Sequence, residues 1–251
     1  MPAPGADWPE GVARIVLSEV DSTSAEAARR APEQATWILA HRQTAARGRR
    51  GRAWDCPIGN FAASLVWRPG DGPAAMALRS FVAALALRDA LRGLGVTGLS
   101  LKWPNDVLLR ERKLAGILLE SPAPGLLILG IGVNLVHAPD PATLEARAVP
   151  PVSLPEVGGP TIAPEAFLDA LAPAFAAREA QFRAAGFPAI RADWMADAAR
   201  LGEEITARLP GETVTGRFAD VDGEGCLILV TANGPRRIAA ADIFFAEAPC
   251  S

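Results

Sequence analysis

The chain has 251 residues, half of them hydrophobic, and a formal net charge of -3. This length can bury a full core and suits one large domain or one large and one small domain. The slight acidity argues against a general nucleic-acid-binding protein, which usually has a basic domain. No apolar run approaches the length of about 20 residues that spans a bilayer, and the N-terminus does not resemble a leader peptide. We therefore expect a cytoplasmic protein with no membrane and no nucleic-acid partner.

The three cysteines and two histidines do not have the spacing of a metal site. The number of cysteines is odd, and the three residues are far apart in the sequence: Cys56, Cys226 and Cys250. Neither His41 nor His137 has another possible metal ligand close by in the sequence. The pattern argues against zinc and favours reduced thiols over disulfides.

The first elements are a strand and a helix with a polar start. Residues 14–20 (RIVLSEV) predict a strand, and residues 21–24 (DSTS) then begin a helix that ends before Pro32. Thr23 and Glu26 have the spacing of a capping box. The hydroxyls of this segment either only cap the helix or also present hydrogen-bonding groups to a polar ligand.

A segment rich in arginine and glycine, residues 43–54 (QTAARGRRGRAW), lies between the predicted strands 36–40 and 60–67. We call it the arginine loop. Glycine lets a loop bring its amides close to a ligand, and arginine supplies planar, permanently charged donors for carboxylate and phosphate oxygens. The loop therefore predicts an anion site, and the alternative is a basic patch that binds nucleic acid.

Residues 73–94 are rich in alanine and leucine and predict a buried helix. Residues 99–103 alternate, which places Lys102 on the face away from the apolar side chains. A hairpin is predicted across residues 105–120. The next strand, residues 126–133, has glycine at alternate positions, which leaves one face bare for packing or for a flat ligand.

After a long irregular connection, residues 165–185 and 187–200 predict two helices. From residue 202 onward, short strands alternate with Pro-Gly, Asp-Gly and Asn-Gly turns, which predicts a small β-barrel. We predict domains over residues 1–201 and 202–251. The fold class is α+β, with a mixed or largely antiparallel sheet packed against helices, because regular strand-helix alternation is missing.

Four segments in this order resemble the catalytic core of the biotin protein ligases: the arginine loop, KWPND, KLAGIL and GIGVN. The resemblance covers nearly the whole chain. It implies a core like that of the class II synthetases and the biotin/lipoate ligases, followed by an SH3-like C-terminal domain. It also implies a two-step reaction, in which the carboxylate of biotin attacks the α-phosphorus of ATP and a lysine of a biotin carboxyl carrier protein then takes the biotinyl group. An attack of one anion on another requires positive charge and positioning.

The resemblance assigns a role to each matching residue. The catalytic positions are Lys113, Arg47 and Arg49. The biotin-binding positions are Ser22, Thr23, Ser24, Gln43, Arg47, Gly48, Arg49, Lys113 and Gly116. The ATP-binding positions are Arg49, Arg50, Arg52, Trp54, Lys102, Asn105, Asp106 and Asn134. Asp106 is also assigned to Mg²⁺ or to the proton of the incoming lysine.

Two positions depart from the family pattern. Ser24 replaces a common asparagine, and Ala46 stands where glycine is usual, so the closure of the arginine loop is expected to differ. About 13 residues precede the first strand, too few for the DNA-binding domain that some family members carry, so operator binding is not expected. A homodimer is possible, because similar ligases form one.

Two rival functions remain open. A lipoate ligase or octanoyltransferase would share the fold and modify a similar carrier lysine, and Cys56 would then be a candidate nucleophile if His41 activated it. A nucleic-acid-binding module would bind with a steep dependence on salt and without ATP.

Overall fold

A computed structural model describes residues 7–54, 56–145 and 148–245; the side chain of Arg49 and the whole of Cys250 lie outside the described residues. The strands are β1 (Ala13–Leu17), β2 (Thr36–Ala40), β3 (Phe61–Trp67), β4 (Leu99–Lys102), β5 (Asp106–Leu109), β6 (Arg112–Ala123), β7 (Leu126–Val133), β8 (Glu204–Leu209), β9 (Glu212–Val221), β10 (Leu227–Thr231), β11 (Gly234–Ile238) and β12 (Asp242–Phe245). The α-helices are α1 (Thr23–Arg30), α2 (Pro73–Ala77), α3 (Arg79–Gly93) and α4 (Pro164–Ala196).

The first seven strands form one sheet in the order β1-β2-β3-β7-β6-β5-β4. β1 pairs parallel with β2, and every later pair is antiparallel. β5 and β6 form the predicted hairpin. The arrangement confirms the mixed, largely antiparallel sheet of an α+β fold.

The middle strands of this sheet have two chemically different faces. Leu65 on β3 and Leu129 and Ile131 on β7 belong to the large core that also contains α3 and α4. Ser64 and Gly130, at adjacent positions, point to the opposite face. Because side chains alternate along a strand, the same strands build the large core on one side. On the other side they leave a small, polar surface around Ser64 and Gly130, next to a second apolar cluster that contains Val66 and Ile128.

One helix prediction needs correction in detail, and the separation of two other predicted helices is confirmed. The single helix expected over residues 73–94 is divided at Leu78 into α2 and α3. The helices predicted over residues 165–185 and 187–200 both lie within α4, which ends at Ala196. The break lies at Gly186, with φ 70° and ψ -175°, angles that glycine adopts without a steric penalty. The two predicted helices are therefore two parts of α4 separated at this glycine.

The C-terminal strands form a second, antiparallel sheet in the order β11-β10-β9-β8-β12. Its buried residues, such as Phe218 and Leu229, join the same continuous core as the first sheet. The indole N–H of Trp103 donates to the carbonyl of Gly225 at 3.0 Å, and Arg191 on α4 pairs with Asp220 on β9. The strand β12 was not predicted. The domain boundary at residue 201 stays a prediction.

None of the described helices is long and apolar enough to span a membrane. Cys56 and Cys226 are both buried, and their reduced state stays a prediction. Burial raises the pKa of the Cys226 thiol.

Candidate active site

A cavity of about 420 Å³ lies on the small, polar face of the first sheet. Its walls come from the start of α1, the arginine loop, strands β4 to β7, the connection after β7, and β12. The predicted site residues that line it are Ser22, Thr23, Ser24, Gln43, Arg47, Gly48, Arg52, Trp54, Lys102, Asn105, Asp106, Lys113, Gly116 and Asn134. Arg50 is not among the lining residues and pairs with Asp242 instead. The structure therefore brings the segments of all four sequence motifs into one cavity.

A buried cluster of hydroxyl and amide groups forms one wall. The backbone N–H and the hydroxyl of Thr23 both donate to Gln43 Oε1, at 2.8 and 3.2 Å. Ser64 Oγ donates to Thr23 Oγ1 at 2.8 Å and lies 3.0 Å from Ser24 Oγ. Sequence reasoning missed Ser64, although a serine inside an otherwise apolar buried strand was a signal for it.

The start of α1 differs from the predicted capping box. Ser22, not Thr23, is the N-cap, and its side chain accepts a hydrogen bond from the N–H of Ala25 at 3.4 Å. Because Ser22 caps the helix, the hydroxyl of Thr23 is available for the Gln43 and Ser64 contacts. The hydroxyls at this helix start thus serve both capping and the cavity wall.

The indole of Trp54 lies over the glycines of β6 and β7. A Cβ atom on Gly132 would stand 2.5 Å from the indole nitrogen, and one on Gly116 would stand 3.1 Å from ring atom Cζ3. The ammonium of Lys113 is 5.5 Å from the indole centroid, within the range of a cation–π contact. The bare face predicted from the glycine spacing therefore accepts a flat aromatic ring. Gly130 makes similar room for Ser24, whose Oγ would lie 2.7 Å from an added Cβ.

Two lysines share one buried carboxylate beside this ring. Lys113 Nζ lies 2.8 Å from Asp106 Oδ1, and Lys102 Nζ lies 3.5 Å from Asp106 Oδ2. Burial lowers the pKa of Lys102; the Asp106 carboxylate opposes this shift, and the nearby Lys113 ammonium adds to it. The group carries two potential positive charges against one negative charge, so it favours an additional anion.

Two asparagines fix the neighbouring backbone. Asn105 Nδ2 donates to the carbonyl of Ile117 at 2.5 Å, and the N–H of Ile117 donates back to the carbonyl of Asn105 at 2.9 Å. Asn134 Nδ2 donates to Val152 at 3.1 Å, whereas its buried Oδ1 has no hydrogen-bond partner among the described residues. A buried acceptor without a partner is costly, so this oxygen is suited to a donor group of a ligand.

The arginine loop forms a tight turn on itself. The N–H of Gly48 donates to the carbonyl of Arg52 at 2.7 Å, and the N–H of Trp54 donates to Ala46 at 3.0 Å. Two residues adopt left-handed angles, Gly51 with φ 72° and Arg50 with φ 57°. The loop is thus bent at one glycine and at one arginine.

The loop is joined to the second sheet by Asp242, which sequence reasoning missed. Its Oδ2 accepts hydrogen bonds from Arg50 at 2.7 Å and from Arg52 at 2.6 Å. Burial raises the pKa of Asp242, but the arginine contacts, with Arg52 foremost, outweigh this effect and lower the pKa below the usual value. Asp242 therefore remains ionised next to the loop.

Comparisons with known proteins agree with the geometry. Residues 17–134 match the biotin/lipoate A/B protein ligase family, and residues 201–246 match the biotin protein ligase C-terminal domain. The biotin–(acetyl-CoA-carboxylase) ligase of Paracoccus denitrificans is 51% identical over 239 residues, which cover 92% of this chain and 99% of that protein. The bifunctional ligase/repressor BirA of Bacillus subtilis is 30% identical over 91% of this chain and 71% of that protein.

The likeness extends to three dimensions. The structure of biotin protein ligase from Aquifex aeolicus in complex with biotin and ATP matches with a TM-score of 0.82 at 27% identity, and the match covers 92% of this chain and 97% of that one. The sequence and fold matches span both sheets and confirm the predicted architecture. The chain belongs to the biotin protein ligases, within the biotin/lipoate A/B protein ligase family.

Proposed function

We propose that this protein is an ATP-dependent biotin protein ligase. It forms biotinyl-AMP and pyrophosphate from biotin and ATP, and then transfers the biotinyl group to a lysine of a biotin carboxyl carrier protein. One observation carries the proposal. A single cavity combines a buried hydroxyl and amide cluster, a surface of glycines, and a group of two lysines around Asp106.

The hydroxyl and amide cluster suits the ureido ring of biotin. This ring offers one carbonyl acceptor and two N–H donors, and the cluster of Ser22, Thr23, Ser24 and Gln43 contains both kinds of partner. Gly130 and Gly116 contribute no side chains to the adjacent sheet surface, which leaves room there for Ser24 and for the ring of Trp54. We assign the ring to this wall, with the carboxylate directed toward Lys113.

The lysine group suits the first chemical step. A carboxylate oxygen of biotin forms a bond to the α-phosphorus of ATP, while the bond from this phosphorus to the bridging oxygen breaks and pyrophosphate leaves. Lys113 offsets the repulsion between the two anions and follows the charge that develops on the phosphorus oxygens. Arg47 and Arg52 line the same cavity and supply further donors for phosphate oxygens.

The adenine fits near the unpaired acceptor of Asn134. Its amino group is a donor for Asn134 Oδ1, and Trp54 provides an aromatic surface for stacking. The positions of Lys102 and Asn105 suggest different roles. Lys102 lies buried beside Asp106, where its ammonium can attract a phosphate. Asn105 fixes the turn before β5 against β6. The role of Arg49 as a phosphate ligand stays a prediction, because its side chain lies outside the described residues.

The second step needs no covalent enzyme intermediate. The amine nitrogen of the carrier lysine attacks the carbonyl carbon of biotinyl-AMP, the bond to the phosphate oxygen breaks, and AMP leaves. The amine must lose a proton in this step. The carboxylate of Asp106 lies in the same cavity, but each of its oxygens already contacts a lysine ammonium, so its predicted role in proton transfer requires that a lysine moves away.

The part of the chain that the structure describes forms no metal site by itself. Among the described ranges, no group of three His, Cys, Asp or Glu side chains could hold a metal ion. Asp106 already contacts two ammonium groups, which does not suit a cation there. We infer that Mg²⁺ enters with the phosphates of ATP, as it does when few protein ligands are present.

Two features weigh against the rival functions. Cys56 is not among the residues that line the cavity, and His41 faces Glu165 at 3.1 Å, which gives no support to an acyl-cysteine mechanism. Arg47 and Arg52 line the same cavity as the lysine group, so the arginine loop faces a small-molecule site and does not form a separate basic patch for nucleic acid. Homodimer formation stays a prediction, which sedimentation at several protein concentrations would test.

The decisive experiment is mass spectrometry of the products after incubation with Mg-ATP and, in separate tubes, biotin, lipoate or octanoate. We expect biotinyl-AMP in the biotin tube alone, and a biotinylated lysine when a carrier domain is added. An adenylate from lipoate or octanoate would move the protein to the lipoate branch of the family. Absence of any adenylate would contradict the proposal.

A further inference from the structure

Asp242 is the centre of a cluster of three arginines at the edge of the cavity. Its Oδ2 accepts hydrogen bonds from Arg50 and Arg52 of the arginine loop and, at 3.3 Å, from Arg208 of β8. The Asp242 side chain is only 9% exposed, whereas Arg50 and Arg52 are 40% and 48% exposed. A carboxylate of the second sheet is thus buried beneath two guanidinium groups that still reach solvent.

The hydrogen bonds to Asp242 use a small part of what the two loop arginines can donate. A guanidinium has five N–H donors. Arg50 donates one hydrogen bond to Asp242 from Nη1, and Arg52 donates one from Nη2. Arg52 also approaches Glu145 at 3.3 Å. The remaining donors can bind a polyanion without breaking the contacts that hold the side chains in place.

The charge of Asp242 also allows the guanidinium groups of Arg50 and Arg52 to lie close to each other. Two guanidinium groups that meet at one oxygen atom repel each other, and the carboxylate between them offsets this repulsion. The long arginine side chains lose much rotamer freedom when they are held, so an anchor that fixes them in advance lowers the entropic cost of binding an anion.

On the basis of the proposed function, we propose that Asp242 is a positioning residue for the arginine loop. It holds Arg50 and Arg52 together, so that Arg52, which lines the cavity, stays in place for the phosphates and the second sheet controls the affinity of the site for ATP. Asp242 makes no covalent or proton-transfer contribution. It acts through the two arginines, and its loss affects ATP binding more than biotin binding or the maximal rate.

The test compares Asp242→Asn with Asp220→Asn. Asp220 lies on the same sheet and pairs with Arg191 of α4, so this control also weakens an attachment of the second sheet but leaves the loop arginines alone. For Asp242→Asn we expect the KM for ATP in biotinyl-AMP formation to rise by about tenfold or more, with the KM for biotin and the kcat within about threefold of wild type. Asp242→Glu restores part of the loss, and Asp220→Asn leaves the KM for ATP within about twofold.

A second measurement does not depend on the reaction. Trypsin cleaves after arginine, so the rate of cleavage within residues 47–52 of the whole protein, identified by mass spectrometry, reports how firmly the loop is held. We expect Asp242→Asn to be cleaved faster there than wild type and Asp220→Asn to be cleaved at the wild-type rate. This readout separates failure of the inference from failure of the proposed function, which would appear as absence of biotinyl-AMP in the wild type.

Three outcomes would overturn the inference. The first is a KM for ATP in Asp242→Asn that stays within about twofold of wild type. The second is a decrease in this KM, which would mean that the carboxylate competes with phosphate. The third is an equal effect of Asp220→Asn on both the KM and the cleavage rate, which would mean that Asp242 only attaches the second sheet.

Discussion

The indole of Trp54 lies so close to Gly132 that a Cβ atom at this glycine would stand 2.5 Å from the indole nitrogen. Real side chains do not approach a ring this closely, so glycine at position 132 is a requirement of the ring position. The same ring faces the ammonium of Lys113 at 5.5 Å from its centroid. The aromatic residue of the arginine loop, the glycine of β7 and the lysine of β6 therefore depend on one another.

Gly132→Ala is expected to displace the Trp54 ring and to impair biotinyl-AMP formation by about tenfold or more in kcat/KM. The added methyl group meets the indole, and the loop must shift away from the lysine group. Pyrophosphate release measures the loss. Gly93→Ala is the control, because no atom lies within 4 Å of its added Cβ. If the two variants had the same kcat/KM and the same midpoint of thermal unfolding, the ring position would not matter for the reaction.

Much of the fold could be predicted because it is encoded locally. The strands Thr36–Ala40 and Leu126–Val133 coincide with the predicted bounds, since an apolar run between polar or glycine residues defines each one. The glycines at alternate positions of the second strand indicated its bare face. Thr23 was given the wrong capping role, because Ser22 and Thr23 are both good N-cap residues and the sequence does not decide between them.

The parts of the site that could not be predicted depend on contacts between distant segments. Arg50 and Asp242 are 192 positions apart, and no local pattern around Asp242 indicates that its carboxylate meets the arginine loop. Ser64 stands out in the sequence as a polar residue of an apolar strand, but its contacts with Thr23 and Ser24 follow only from the tertiary structure. The sequence motifs identified the groups that take part in the reaction, whereas the residues that hold these groups in place could be identified only from the tertiary structure.

Lys113→Met is expected to lower the kcat of biotinyl-AMP formation by about 100-fold, which corresponds to about 2.7 kcal/mol of transition-state stabilisation. The substitution keeps an unbranched chain but removes the charge that offsets the repulsion between biotin carboxylate and α-phosphate. Single-turnover measurements isolate this step. Arg110→Met, in the turn of the same hairpin, serves as the control and is expected to react at the wild-type rate. A loss of less than about tenfold in Lys113→Met would remove the central role of this lysine.

Raising the pH is expected to weaken ATP binding before Lys102 reaches its usual pKa of 10.5, because burial lowers the pKa of this group. The ammonium form attracts phosphate. As the pH rises through the lowered pKa, the free protein loses this charge, and binding of ATP must then take up a proton. Calorimetry in two buffers with different heats of ionisation measures the uptake. Lys102→Met should bind ATP more weakly at neutral pH and show a flatter pH dependence; an unchanged pH dependence would contradict the prediction.

Ser64→Ala is expected to raise the KM for biotin by roughly 5- to 30-fold while the KM for ATP stays within about twofold. Ser64 Oγ donates to Thr23 Oγ1 and lies next to Ser24 Oγ in a fully buried position. Its removal leaves these hydroxyls to rotate away from the geometry that faces the cavity, and each unpaired buried hydroxyl costs about 1–3 kcal/mol.

Initial rates of pyrophosphate release at varied biotin give the KM. Ser121→Ala, at an exposed position where Oγ donates to the carbonyl of Leu126 at 2.9 Å, is the matched control. Equal KM values for biotin in both variants would show that the hydroxyl cluster packs the sheet surface without orienting the ligand.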